Sequence, residues 1–263
     1  MEANTEQDQE DRLSSLVVVL PLAVMGFVVA AACWTLFAVA GIFLRDSLGL
    51  SNLQLGLLLA TPMATGGLLA VPAGLAAQKL GARRVMIGCL AGLALCMLLL
   101  LVADSFAGYL VVAGGLGLAG CYFSAGQQFV THHAPARHMG LALGVFGSGV
   151  VGAGLSYYLV PLLMEAFSWG TVPVAYLIVL LVTIALLVLL TDDSDSVADP
   201  DSAPLMGIAV ATLRRLDVWL LCFWFGIVAG SFYSLALWLP DVMAAQLTLT
   251  VAGGASLALW FVI

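Results

Sequence analysis

The chain is 263 residues long, 63% hydrophobic and 9% charged, with a formal net charge of −7 at pH 7 and a mean hydropathy of +1.13. Soluble globular domains are about half apolar and about a quarter charged, so this composition excludes them and leaves an integral membrane protein.

Apolar runs of about 20 residues, enough helix to cross about 30 Å of hydrocarbon, follow one another along the chain. They are Leu16 to Leu44, Leu53 to Ala77, Val85 to Ala103, Phe106 to Val130, Met139 to Met164, Thr171 to Leu190 and Val218 to Leu239, with a last run from Leu249 to Ile263. Backbone polar groups in lipid must be satisfied within the segment, and the alternation of barrel strands is absent, so each run is read as a helix. The first run is a helix and not a secretory signal. Glu2, Glu6, Asp8, Glu10 and Asp11 precede it against a lone Arg12, the wrong charge for a signal.

Cations resist translocation and mark inner loops, while acids contribute little. With the amino terminus inside, Arg12, Lys79, Arg83, Arg84, Arg137, Arg214 and Arg215 all fall inside, and only Arg45 lies outside. The stretch TDDSDSVADPDSAP, beginning at Thr191, is too polar to bury surface and reads as a connection. The expected organisation is all-α and polytopic. Residues 1–15 form an acidic cytoplasmic tail, 16–190 a six-helix bundle and 191–216 an acidic cytoplasmic linker, and 217–263 hold helix seven and part of helix eight. SLALWFVI is too short to reach the far interface, so the chain is expected to be the front part of a longer one.

Several local patterns carry no chemistry. GLGLAG, Gly115 to Gly120, has the GxGxxG spacing of a dinucleotide loop but no strand before it, and reads as helix packing. Gly140, Gly144, Gly147, Ser148 and Gly152 recur at helical spacing and read as a close-packing stripe. His132, His133 and His138 share one loop without a carboxylate or thiol to complete a metal set. Ser148 is ten residues from His138, about 15 Å along a helix, too far for proton transfer. Cys33, Cys89, Cys96, Cys121 and Cys222 lie in apolar runs without ligand spacing and read as packing residues. No enzyme, metal or cofactor is expected.

The mid-run polar groups are Trp34 and Thr35 on helix one, Tyr122, Ser124, Gln127 and Gln128 on helix four, Ser156 and Tyr157 on helix five, and Ser231 and Tyr233 on helix seven. Each alone fits an interhelical hydrogen bond worth about 1 kcal/mol. Together they are the candidates for a solute pathway, with Tyr122 and Gln127 first. No aspartate, glutamate or histidine sits mid-run, so no proton relay is evident.

The stretch GLAAQKLGARR, Gly74 to Arg84, resembles GxxxDRxGRR, the loop signature of the major facilitator superfamily, with Gly74, Gly81 and Arg83 in register. Gln78 stands where that family has aspartate and Ala82 where it often has a basic residue, while Lys79 keeps the charge of an arginine. Arg84 follows. The resemblance implies a conformational latch here, weakened by the missing carboxylate. Within the superfamily the chain is most similar to the nitrate/nitrite porters, through Gly117, Phe123, Gly126, Pro135 and Gly140, then GVFGSGVVGAG, Pro161 and Trp169. Ala70 stands where those porters carry an anion-binding arginine, and Val150 where they carry an asparagine. The resemblance implies a secondary transporter of a small solute, acting by alternating access as a monomer in the bacterial inner membrane. Its partners are the solute and lipid, with no nucleic acid. A drug or metabolite exporter is the alternative, against which the absence of the GP-containing fifth-helix motif counts. A non-transporting scaffold or receptor is the alternative of another class.

Overall fold

The computed structural model describes the backbone of residues 2–191, 207, 211–247 and 250–262, and the side chains of these apart from 2–15, 251–252 and 261–262. Among the described residues, seven helices are long and apolar enough to cross a membrane. They are α1 (Leu16–Leu48), α2 (Asn52–Leu80), α3 (Ala82–Val102), α4 (Phe106–His133), α5 (Ala136–Ala166), α6 (Thr171–Leu190) and α7 (Leu216–Gln246). A shorter α8 spans Val251–Val262.

Each of the first seven expected apolar runs falls on one of these helices, with Ala103 just beyond the end of α3, and the helix in the last run, from Val251, is α8. Most helices run a few residues further into polar sequence, and polar caps start two of them. Ser51 accepts from the Gln54 amide and the Gln54 side chain accepts in return from Ser51, a capping box that starts α2. Ser105 caps α4 through the Gly108 amide at 3.3 Å. Gly49 (φ 64°) and Gly81 (φ 91°) take the left-handed backbone that turns the chain between α1 and α2 and between α2 and α3. The expected acidic tail, residues 1–15, is helical from Glu2 onward and continuous with α1. Most of the expected linker, 191–216, lies outside the described residues.

Helix α1 is the most enclosed span, packing against α4, α5 and α6. It is interrupted at Thr35, whose hydroxyl donates back to Ala31 O at 3.1 Å. Helix α5 tightens to a 3-10 turn at Ser148–Val151, where it crosses α1. A Cβ on Gly149 would strike the Phe27 side chain, and one on Gly152 would strike the backbone of Val28. The α2–α4 crossing is similar, with Gly66 against Gly117 and Gly120. The expected small-residue stripe is thus only partly a packing face: Gly152 needs its missing side chain, whereas Gly140, Gly144 and Gly147 face open space.

At the other end Arg83 ties the start of α3 to the end of α6. Its Nε donates to Thr191 Oγ1 at 2.8 Å and its Nη2 to Val188 O at 2.9 Å. A cation there satisfies carbonyls that the helix leaves unpaired and sits at the negative end of its dipole.

Backbone, unlike a flexible side chain, cannot move aside for a methyl group. Gly152→Ala is therefore expected to destabilise the protein by about 1–3 kcal/mol, while Gly140→Ala, in open space within a helix, is expected to keep stability or raise it by up to about 1 kcal/mol. Thermal unfolding of both variants in the same detergent checks the contrast.

Candidate functional site

The chain crosses back and forth between two ends, one marked by Arg45 and the other by Arg83. Helices α7 and α8 make their extensive contacts with the first six helices on α1 beyond Thr35 and on α5 beyond Val151, that is, at the Arg45 end. There Arg45 Nη2 meets Asp241 Oδ1 of α7 at 2.9 Å, and the Tyr157 hydroxyl donates to Ala236 O. Deeper in, the rings of Trp34 and Tyr233 lie 5.1 Å apart. Trp34 is held by its Nε1, which donates to Pro62 O at 3.0 Å. Towards the Arg83 end α7 leaves the bundle, and Trp219, Phe223 and Trp224 are exposed. The result is a cleft with its apex at Trp34 and Tyr233.

At the open end, α2 and α4 border a polar pocket of about 380 Å³ lined by Gln78, Ser124, Gln127, Gln128, Thr131 and His132. Its floor is built by the absence of a side chain. Gly74 lets α4 come close enough for Gln128 Nε2 to donate to Gly74 O at 2.9 Å. Thr131 returns its hydroxyl to the backbone O of Gln127 at 2.6 Å, and the exposed Gln127 side chain borders the pocket. The lining holds amides, hydroxyls and the His132 imidazole, and offers both donors and acceptors.

The expected pathway residues divide into two groups. Trp34 and Tyr233 meet at the apex, and Gln127 lines the pocket with Gln78 at its edge. Ser231 is exposed on α7 and Ala70 half-buried on α2, between Gly66 and Gly74. The others are enclosed. Tyr122, the foremost candidate with Gln127, is fully buried and donates to Ala23 O of α1 at 3.1 Å. Thr35 is turned onto Ala31 O. Ser156 donates to Ala32 O at 2.6 Å and, its one proton so used, accepts from Tyr176 at 2.7 Å. Tyr122 and Ser156 serve as interhelical struts in this conformation, the Thr35 hydroxyl also lies 3.5 Å from Ala153 O of α5, and Tyr157 serves the contact with α7. Of the expected latch, Gly74, Gly81 and Arg83 have structural partners or backbone roles, Gln78 faces the pocket, and Lys79 and Arg84 are exposed. The residue that sequence reasoning left without a role is Asp241. Its signal was the lone outer cation, Arg45, which needs a partner.

A bundle of long apolar helices, with α7 and α8 packed against one end and a polar pocket at the other, defines a polytopic membrane protein. The chain matches the sequence profile of the Major Facilitator Superfamily over residues 22–263 and belongs to that family. It is 30% identical over 250 residues to a probable nitrate/nitrite antiporter of Thermus thermophilus, covering 90% of this chain and 55% of that one. It is 26% identical over 235 residues to a nitrite extrusion protein of Bacillus subtilis, covering 89% of this chain and 58% of that one. The chain therefore spans little more than half the length of the curated relatives it matches. In structure it is similar to a bacterial homolog of the human lysosomal transporter Spinster in its inward-facing, unoccupied conformation. That likeness has a TM-score of 0.65 at 19% identity over 94% of this chain and 60% of the other, and shows the fold.

Removing the Tyr122 hydroxyl breaks one interhelical bond, while Ala23 O keeps its place in the α1 ladder. Tyr122→Phe is expected to lower stability by about 1 kcal/mol and to leave thiol labelling of a Gln127→Cys reporter unchanged. Thermal unfolding and labelling kinetics measure the two.

Proposed function

We propose that this chain is the first bundle and the opening of the second of a secondary transporter that moves a small solute by alternating access. The observation that carries this reading is the asymmetry of the cleft: α7 and α8 close it at the Arg45 end, while the polar pocket stays open at the other. Binding between two halves that rock against each other is the working principle of such folds. The cation distribution supports a cytoplasmic Arg83 end and an outer Arg45 end, which makes this an inward-facing conformation. The setting we infer is a bacterial plasma membrane.

The relatives point to nitrate or nitrite, and the residues of this half qualify that reading. A dehydrated anion needs donors and positive charge to replace its hydration. From Leu16 to Leu44 and from Leu53 to Ala77 the first two spans hold no cation, and Ala70 stands where the porters it resembles place an arginine. This half therefore offers a neutral, amide-bearing cleft, which suits a solute bound by hydrogen bonds.

The experiment is nitrate binding to the complete protein, purified, with and without Ala70→Arg. Weak binding that the substitution strengthens is the expected result; tight binding by the parent overturns the neutral-cleft reading. The carrier reading is tested separately, by labelling Gln127→Cys from each side. Labelling from the cytoplasmic side that falls as a transported solute is added supports alternation, and labelling indifferent to every solute that the protein takes up counts against it.

A further inference from the structure

Arg45 is the one basic residue assigned to its side of the membrane, and two carboxylates occupy it. Asp241 of α7 binds Nη2 at 2.9 Å, and Asp46, its neighbour on α1, approaches Nε at 3.7 Å. The Arg45 side chain is 26% exposed and that of Asp241 18%, so the pair is shielded yet within reach of water and ions. The two carboxylates differ in what happens when the cleft inverts. Asp46 belongs to the same helix as Arg45 and travels with it. Asp241 belongs to the opposed part and leaves.

We propose that Arg45 is an anion contact at the mouth of the cleft, masked by Asp241 while that mouth is closed and exposed when it opens. The inference rests on the alternating-access reading above and puts the contact for a small oxyanion at the mouth instead of within the cleft. A guanidinium presents paired N–H donors that match two oxygens of one planar anion as well as they match a carboxylate. When α7 separates from α1, the edge of Arg45 that held Asp241 faces the vestibule. An anion that binds that edge binds the open state and not the closed one, so it shifts the balance towards opening. The anion thus competes with Asp241 for the same donors. Charge selection then takes place at the mouth, which fits a cleft whose first two spans carry no cation.

The test uses the complete protein with Cys222→Ser, which removes the exposed native thiol, and Gly56→Cys as reporter. A Cβ at Gly56 would lie 3.8 Å from the Trp238 ring of α7, an ordinary contact that covers the thiol only while the mouth is closed. Labelling by a membrane-impermeant maleimide from the Arg45 side is followed as nitrate replaces gluconate. In the parent, nitrate is expected to raise the labelling rate. Asp241→Asn should raise the basal rate and lower the nitrate concentration needed for half its effect, because the internal competitor is gone. Arg45→Gln should raise the basal rate as well but abolish the nitrate response, and Arg45→Lys should restore part of it. If Arg45→Gln and Asp241→Asn respond to nitrate alike, or gluconate acts as nitrate does, Arg45 is a structural latch only and the proposal is overturned. Failure of the carrier reading looks different: labelling at Gly56→Cys would then be constant in every variant, with no solute uptake.

Discussion

The structure depends on one constraint of the lipid solvent: every backbone polar group must find its partner inside the protein, while no hydrophobic force draws one apolar helix to another. Association has to come from close backbone approach and from hydrogen bonds to carbonyls that already serve a helix. Both devices are present at the same crossings. Gly152 admits the backbone of Val28, and nearby Ser156 donates to Ala32 O. Gly74 admits Gln128, which donates to Gly74 O itself. Tyr122 crosses from α4 to Ala23 O, and Arg83 from α3 to Val188 O.

That economy decides which polar residues remain for a solute. A hydroxyl has one proton, and when it is given to a neighbouring helix the group becomes part of the scaffold. Tyr122 and Ser156 are of this kind. A glutamine has an amide with two donors and an acceptor, so Gln128 can brace α2 and still border the pocket, while Gln127 makes no brace and presents its whole amide. The division between scaffold and pathway therefore follows side-chain valence as much as position.

Hydropathy made the helices legible from sequence, because a span in lipid is long, apolar and unmistakable in a chain with so few charges. The direction in which each helix faces was not legible. Spans that are apolar all round carry no stripe to point inward, so Tyr122 and Gln127, five residues apart on α4, looked equivalent. Their burial separates them completely: one is enclosed and the other lines the pocket. Pairings distant in sequence were equally hidden. Asp241 is placed against Arg45 by the α1–α7 contact, and no local pattern announces it. Conversely, the Gly74 to Arg84 signature was legible as a motif, yet its arginine at position 83 is engaged with α6 inside the first bundle, a pairing that the spacing alone could not reveal.

The placement of charge has a consequence for selectivity. Amides, hydroxyls, an indole and the His132 imidazole line the cleft, and an amide dipole can turn its oxygen to a cation or its N–H to an anion. Such a lining ranks solutes by shape and hydrogen-bonding pattern but discriminates weakly by sign. Sign is read most strongly by fixed charge in a place where water is scarce and screening weak. In this chain fixed charge lies at the ends of the spans, and the two ends use it differently. At the Arg83 end, Arg83 itself is bound into the scaffold through the terminus of α6, which does not depend on α7. At the Arg45 end it is shared between α1 and α7, the two helices whose separation opens the mouth, so the field that an arriving ion meets there changes with the conformational state itself.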